Sequence, residues 1–268
     1  MIIQVSTPHL ELWQIEGEFS NQPHFHENEF QITIPIVGEC QFTLGSRHYT
    51  LEDGGGIVQH PKERHFFEIG SQSGVFILKV NQHSIKELIG KDDVEFAVLQ
   101  KFDPRLLRDK FRSWTNALLA CSKADRIAQD ELESQVLFYL LRALAGNHQN
   151  RFHSSWRIPE LCLDPHMATV LEYIRENFRN EIQIDELAAT ALQSRYHFIR
   201  SFKAMIGVTP YQYVLQLRME EAKRLLKRSA QSVTEIGFSV GFSSVSQFQR
   251  AFVKMVGMTP TQYRNLSS

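Results

Sequence analysis

Apolar and polar positions change their rhythm twice along the 268-residue chain. Over residues 1–80 the apolar letters come in short runs rich in Val, Ile, Phe and Thr: FQITIPIV (30–37), CQFTLG (40–45), HYTL (48–51), GIVQ (56–59) and VFILKV (75–80). Turn chemistry punctuates them at Gly38-Glu39, Gly45-Ser46, Asp53-Gly54-Gly55-Gly56 and Gly70-Ser71. Short strands between tight turns predict a sandwich or small barrel. From about residue 84 the period is helical. Leu107, Phe111, Trp114 and Leu118 form one stripe, and Leu132, Val136, Leu140 and Leu144 form a second, widened by Leu137 and Leu141. The second stripe stops at Gly146, a suitable helix C-terminus. Residues 147–164 are polar and aperiodic, with Pro159, and read as a linker. Residues 165–268 predict helix after helix, beginning with HMATVLEYIRENF, whose Met167, Leu171, Ile174 and Phe178 share a face. The organisation expected is a β barrel over 1–82, a helical extension over 83–146 that supplies a dimer seam at Val136–Leu144 or packs on its own barrel, the linker, and an all-helical domain over 165–268.

Within that last part a unit occurs twice. HFIRSFKAMIGVTPYQYV (197–214) and QFQRAFVKMVGMTPTQYR (247–264) share Phe, Arg, Phe, Met, Gly, Thr, Pro, Gln and Tyr in register. Each copy reads as short helix, turn, second helix, glycine stop and restart. Ser194 and one of Ser243 or Ser244 suit the N-cap of the second helix, Gly207 and Gly257 suit its left-handed stop, and Thr-Pro restarts the next helix, where proline's missing N–H costs nothing. Phe198, Phe202, Phe248, Phe252 and Met255 are expected inside. Opposite them lie Arg195, Tyr196, Ile199, Arg200 and Lys203 in the first copy, and Ser246, Gln247, Gln249, Arg250 and Lys254 in the second. This is helix-turn-helix grammar, whose second helix can enter a DNA major groove. Between the copies, PYQYVLQLRMEEAKRLLKRS predicts a helix of about eighteen residues and about 27 Å. That length is near the ~34 Å between successive major-groove faces on one side of a duplex.

Charge agrees with this division. Residues 165–268 hold 13 Lys and Arg against 8 Asp and Glu, a net of +5, whereas the first 164 residues hold 16 against 22, a net of −6. Three widely spaced cysteines give neither a disulfide framework nor a zinc knuckle and suit a reducing cytoplasm. There is no export-signal pattern and no apolar run long enough to span a membrane, so a cytoplasmic location is expected.

On the words IDELA, SRYHFIRSFKAMIGVTPYQYVLQLRMEEAKRLL and SVTEIGFSVGFSSVSQFQRAFVKMVGMTPTQYR, residues 184–264 resemble the DNA-binding region of AraC/XylS-type transcriptional regulators. By that resemblance Tyr196, Ile199 and Arg200 stand where the first unit contacts DNA, and Ser246, Gln247, Gln249 and Arg250 where the second does. The family's first turn glycine is Leu192 here; a bulky residue held at positive φ costs about 1–2 kcal/mol, so an altered turn is expected in the first unit.

In the N-terminal part His24 and His26 are two apart, a spacing that on a strand points both imidazoles to one side. His60 and His65 follow some forty residues later, after a triple glycine. His24, His26 and His65 are candidate ligands of a divalent metal, with Gln31 as a weak fourth; hydrogen bonding within the barrel or contact with a ligand is the other reading. The stretch also resembles a cupin, with Gln31 at that family's glutamate position and His60-Pro61-Lys62 at its proline–glycine motif. Loss of the glutamate argues against catalysis. The expected pocket is mostly apolar with polar fixtures, lined by His24, Phe25, His26, Phe30, Gln31, Phe42 and His65. The resemblances imply a fold of the α+β multidomain class, with a cupin-like barrel, a helical extension and an all-α double helix-turn-helix. They imply a non-enzymatic transcriptional regulator, an activator responding to a small-molecule effector. Its expected partners are double-stranded operator DNA, the effector, a second copy in a homodimer and RNA polymerase. A metal-dependent cupin enzyme or metal sensor fused to a DNA-binding domain is the alternative.

Overall fold

The computed structural model describes residues 1–90, 94–120, 125–146 and 165–267, and the predicted linker at 147–164 lies outside them. The chain divides into two compact units. One contains the described residues of 1–120 and 132–155, the other those of 121–131 and 156–268, so the second predicted helical stripe, from Leu132 on, belongs to the first unit, and the residues just before it group with the C-terminal unit.

The first unit holds strands β1 (Ile2–Ser6), β2 (Leu10–Glu16), β3 (Phe19–Ser20), β4 (Glu29–Val37), β5 (Cys40–Leu44), β6 (Arg47–Leu51), β7 (Gly55–Gln59), β8 (His65–Ile69) and β9 (Gly74–Asn81). Helix α1 (Gln82–Ile89), strand β10 (Leu99–Lys101) and helix α2 (Pro104–Ala120) follow, and α3 (Arg126–Gly146) supplies its residues from Leu132 onward. The strands pair antiparallel in two sheets, ordered β1-β2-β9-β4-β7-β10 and β3-β8-β5-β6. Ile15, Phe42, Leu51, Ile57, Phe67 and Ile77, drawn from both sheets, make one buried core between them.

Strand β4 is buried on both faces, and the period of two sorts its side chains. Thr33 stands opposite the core residues Ile57 and Ile77, whereas Phe30 and Ile32 share a small apolar gap with Leu137, Leu140, Leu141 and Leu144 of α3. The predicted Val136–Leu144 seam therefore packs on its own barrel. Residue Pro35, which has no N–H for a ladder, sits beside a register shift between Pro35 and Val37.

The second unit contains α4 (Pro165–Asn177), α5 (Ile184–Thr190), α6 (Arg195–Ile206), α7 (Pro210–Arg228), α8 (Val233–Ser239), α9 (Val245–Val256) and α10 (Pro260–Ser267). It has two cores, and α7 serves both. Val214 packs with Ile174, Leu187, Phe198 and Phe202, while Met219, Ala222 and Leu226 pack with Ile236, Phe248 and Phe252. The loop after α4 is gripped from the same side. Arg218 of α7 donates from Nε to the Phe178 carbonyl at 2.7 Å and from Nη2 to that of Asn180 at 3.1 Å. Gly241 lies so close to the carbonyl between them, that of Arg179, that a Cβ would stand 2.6 Å from its oxygen.

Candidate functional site

The sequence places the helix-turn-helix joints where the structure has them. Ser194 Oγ accepts from His197 N, and Ser244 rather than Ser243 accepts from Gln247 N at 3.2 Å. Thr209 and Gln212 form a reciprocal capping box ahead of α7, with Pro210 in its first turn. Thr259 and Gln262 repeat that exchange ahead of α10. The turn expected to be altered at Leu192 keeps a left-handed backbone all the same: Leu192 has φ +53° where Gly241 has φ +98°. Leu192 is 76% exposed, so its side chain adds almost no packing to offset the strain.

In α9 the geometry matches expectation except at Met255, which was expected inside and is 41% exposed at the end of the helix. Phe248 and Phe252 are fully buried, while Ser246, Gln249, Arg250 and Lys254 face solvent and Gln247 is half-buried, accepting from Ser243 Oγ at 2.6 Å. This face offers hydroxyl, amide and guanidinium groups, the types that read base edges and phosphates.

In α6 it departs from expectation. Arg195, Tyr196 and Ile199, predicted to face outward, are all buried, at 8%, 1% and 6% exposure. Arg200 is half-buried and Lys203 is exposed. For Arg195 and Ile199 the partners include residues 125–131 of the same unit. Asp130 forms an ion pair with Arg195, Ile127 joins the cluster that holds Ile199, and Glu131 accepts from Tyr211 N. Burial pushes the Glu131 carboxyl up to about 7, against the opposing hydrogen bonds from Thr209 and Tyr211. Local periodicity carried no signal for this contact, because it joins residues more than sixty positions apart.

In the first unit His24, His26 and His65 converge, with one ring nitrogen from each within 4.8 Å of the others. They do not share a strand. His24 makes an isolated antiparallel bridge with His65, and the loop runs on so that the His26 carbonyl accepts from Lys62 N. His24 Nδ1 and His65 Nδ1 meet the carbonyls of Gln22 at 2.8 Å and Glu63 at 3.0 Å. A protonated Nδ1 leaves each Nε2 as a lone-pair donor. His65 Nε2 is buried with no hydrogen-bond partner, and burial drives its imidazole down to about 4, so it is neutral near pH 7. Burial, helped by the charge of Lys79, lowers His26 as well. His26 Nε2 is engaged with Gln31 Oε1 at 3.0 Å.

From Gln31 a polar line continues inward through Thr33 Oγ1 to Gln59 Oε1, and Gln59 Nε2 is buried without a partner. Gln59 was not singled out from sequence; the signal is the register that sets it opposite Gln31, legible only once β4 and β7 are paired. Phe42 stacks on His65 at 6.0 Å. Two predicted pocket members fall outside the cluster: Phe25 is 52% exposed, and Phe30 lies on the opposite face of β4 against Leu137, Leu140, Leu141 and Leu144 of α3; His60 is held elsewhere, accepting at Nε2 from Phe96 N. Two histidines thus suit a metal as they stand, and the third does so if its ring releases Gln31.

Known proteins match the chain in two parts. Residues 14–141 match the model of the AraC-like ligand binding domain, and residues 187–266 match that of a helix-turn-helix domain. The chain is 24% identical over 262 residues to the probable transcriptional regulator LumQ of Photobacterium leiognathi, covering 98% of both chains. It is 39% identical over 92 residues to the MmsAB operon regulatory protein of Pseudomonas aeruginosa, or 34% of this chain and 30% of that one. The solved DNA-binding domain of AdpA, in complex with a target DNA, is 33% identical with a TM-score of 0.36, covering 38% of this chain and 92% of that one.

Proposed function

Because the chain belongs to the AraC-type transcriptional regulators, with a ligand-binding and a DNA-binding domain, we propose that it docks α6 and α9 into successive major grooves of one operator under the control of a small molecule held in the barrel. The observation that carries the DNA half is α9: a capped helix with a buried Phe248–Phe252 spine and Ser246, Gln249, Arg250 and Lys254 presented together to solvent. Arg250 and Gln249 are the base readers in this scheme, and Lys254 neutralises a phosphate. In α6 the corresponding readers are Arg195, Tyr196, Ile199 and Arg200, with Lys203 on phosphate. Arg250→Ala should weaken binding to a duplex selected from random-sequence DNA by about 1–3 kcal/mol. Unchanged affinity would remove Arg250 from the contact set.

The sensor half rests on the unpartnered buried nitrogens of His65 and Gln59. Burying a polar atom without a partner costs about 1–3 kcal/mol, which a ligand that hydrogen-bonds it would recover. The effector in this scheme touches His24, His26, Gln31, Phe42, Gln59 and His65 at one end of the barrel. The same imidazoles favour a second reading, in which His24, His26 and His65 hold a divalent ion that supplies a Lewis-acidic point for the effector. Elemental analysis of the purified chain, repeated on His65→Ala, separates the two: a stoichiometric metal lost in the variant supports the ion, and its absence from both leaves the organic effector. In this proposal the protein acts as an activator in contact with RNA polymerase, which a reporter promoter with and without the protein tests. The homodimer implied by the family resemblance would use a face other than Val136–Leu144, which the barrel already covers.

A further inference from the structure

The two copies of the helix-turn-helix unit are built alike but are not equally open. Ser246, Gln249 and Arg250 of α9 are exposed, whereas Tyr196 and Ile199, their counterparts in α6, are buried and Arg200 is half-buried. The Phe spines and caps are equivalent in the two copies and do not account for the difference. What differs is an addition from outside the repeat. Residues 125–131 lie against α6, with the Asp130 carboxylate on the Arg195 guanidinium and Ile127 in the cluster that holds Ile199. Glu131 is fixed by the N–H of Tyr211 at the start of α7, and Arg126 lies 3.5 Å from Glu181.

We propose that Asp125–Glu131 is an intramolecular shield over the first DNA-reading helix, and that it must leave before α6 can enter a major groove. The chemistry is that of substitution. A carboxylate on Arg195 takes the place of a DNA phosphate or base edge, and Ile127 covers the apolar group that would meet a thymine methyl. With the shield seated, the protein reads DNA through α9 alone. With the shield displaced, both helices engage, and the intrinsic affinity is no longer reduced by the fraction of molecules that are open. This rests on the assignment of α6 and α9 as reading helices.

The test uses the full chain and the tightest duplex that the wild-type protein selects from random-sequence DNA. Hydroxyl-radical footprints and anisotropy titrations compare wild type with Asp130→Asn and Ile127→Ser, two variants that loosen the shield by different means, with folding checked by circular dichroism. The expected result is one protected major-groove face for wild type. Each folded variant adds a second face about one turn away and binds at least fivefold more tightly. Two protected faces already present in wild type, or variants within twofold of it with the same footprint, overturn the shield while leaving the DNA-binding assignment intact. Loss of salt-sensitive duplex binding in every chain overturns both.

Discussion

Replacing Gly241 by alanine sets two costs against one gain, and the structure gives each a size. The position has φ +98°, and an added Cβ would stand 2.6 Å from the Arg179 oxygen and 2.9 Å from its carbonyl carbon. A left-handed backbone costs an L-residue about 1–2 kcal/mol. Crowding a packed site costs about 1–3 kcal/mol more. Reduced freedom of the unfolded chain returns about 0.4–1 kcal/mol. The net expectation for Gly241→Ala is a loss of about 3 kcal/mol. Leu192 is the matched control, since it occupies the equivalent turn at φ +53° with its side chain in solvent. There Leu192→Gly relieves about 1–2 kcal/mol of strain, offset by roughly the same sum of glycine entropy and lost contact, so the change should stay within about 1 kcal/mol of zero. Urea denaturation of the full chain, followed by far-ultraviolet circular dichroism, gives both numbers from the shift in midpoint at constant slope. A loss below about 1 kcal/mol in Gly241→Ala, with wild-type slope, would refute the claim that backbone contact with Arg179 fixes this turn.

Other outcomes follow from the same structure. Glu131, raised by burial to about 7 from its ordinary 4.5, faces Thr209, Tyr211, Lys203 and Asp125. Its folded form holds a proton that the unfolded chain has lost, so its contribution is greatest below pH 4.5 and declines as pH rises to about 7. Glu131→Gln should remove that decline, on the order of 3 kcal/mol; equal differences from wild type at pH 5 and pH 8 would contradict it. Ser244→Ala removes the oxygen that accepts from Gln247 N at 3.2 Å and should cost about 1 kcal/mol of stability. Because it frays the start of α9, duplex affinity should drop with it. Both are read by denaturation and anisotropy on one preparation.

The helical half was legible because its information is local. Caps, stops and the Phe spine are set by neighbours within four residues, and the letters shared by the two copies are these scaffold positions. Even the strained points announced themselves: Leu192 and Lys62, at φ +53° and +69°, both stand where the resembled families carry glycine. Strands β4, β5, β6, β7 and β9 were readable by their Val, Ile, Phe and Thr content. The pairs β1 with β2 and β3 with β8 were not, because their apolar letters are diluted with Glu, Gln and Ser. Long-range partners stayed hidden. Gln59 becomes a site residue through strand register, and Arg195 and Ile199 become buried with help from a segment more than sixty residues away. Helical periodicity reports which face a residue occupies and says nothing about what arrives to cover it.

Three consecutive peptide groups of one loop, at Phe178, Arg179 and Asn180, are clasped by Arg218 and Gly241, and an unbroken α7 contributes to the cores of both reading units. The protein therefore has little torsional slack with which to follow a change in its DNA. One extra base pair between the two half-sites rotates the second by about 34° around the duplex axis. With a stiff protein, that mismatch is absorbed as twist in the DNA. In the proposed docking of both helices, an operator is then selected for phase as strictly as for letters. Steps that twist easily, lying between the half-sites where no side chain reaches, become part of what is recognised.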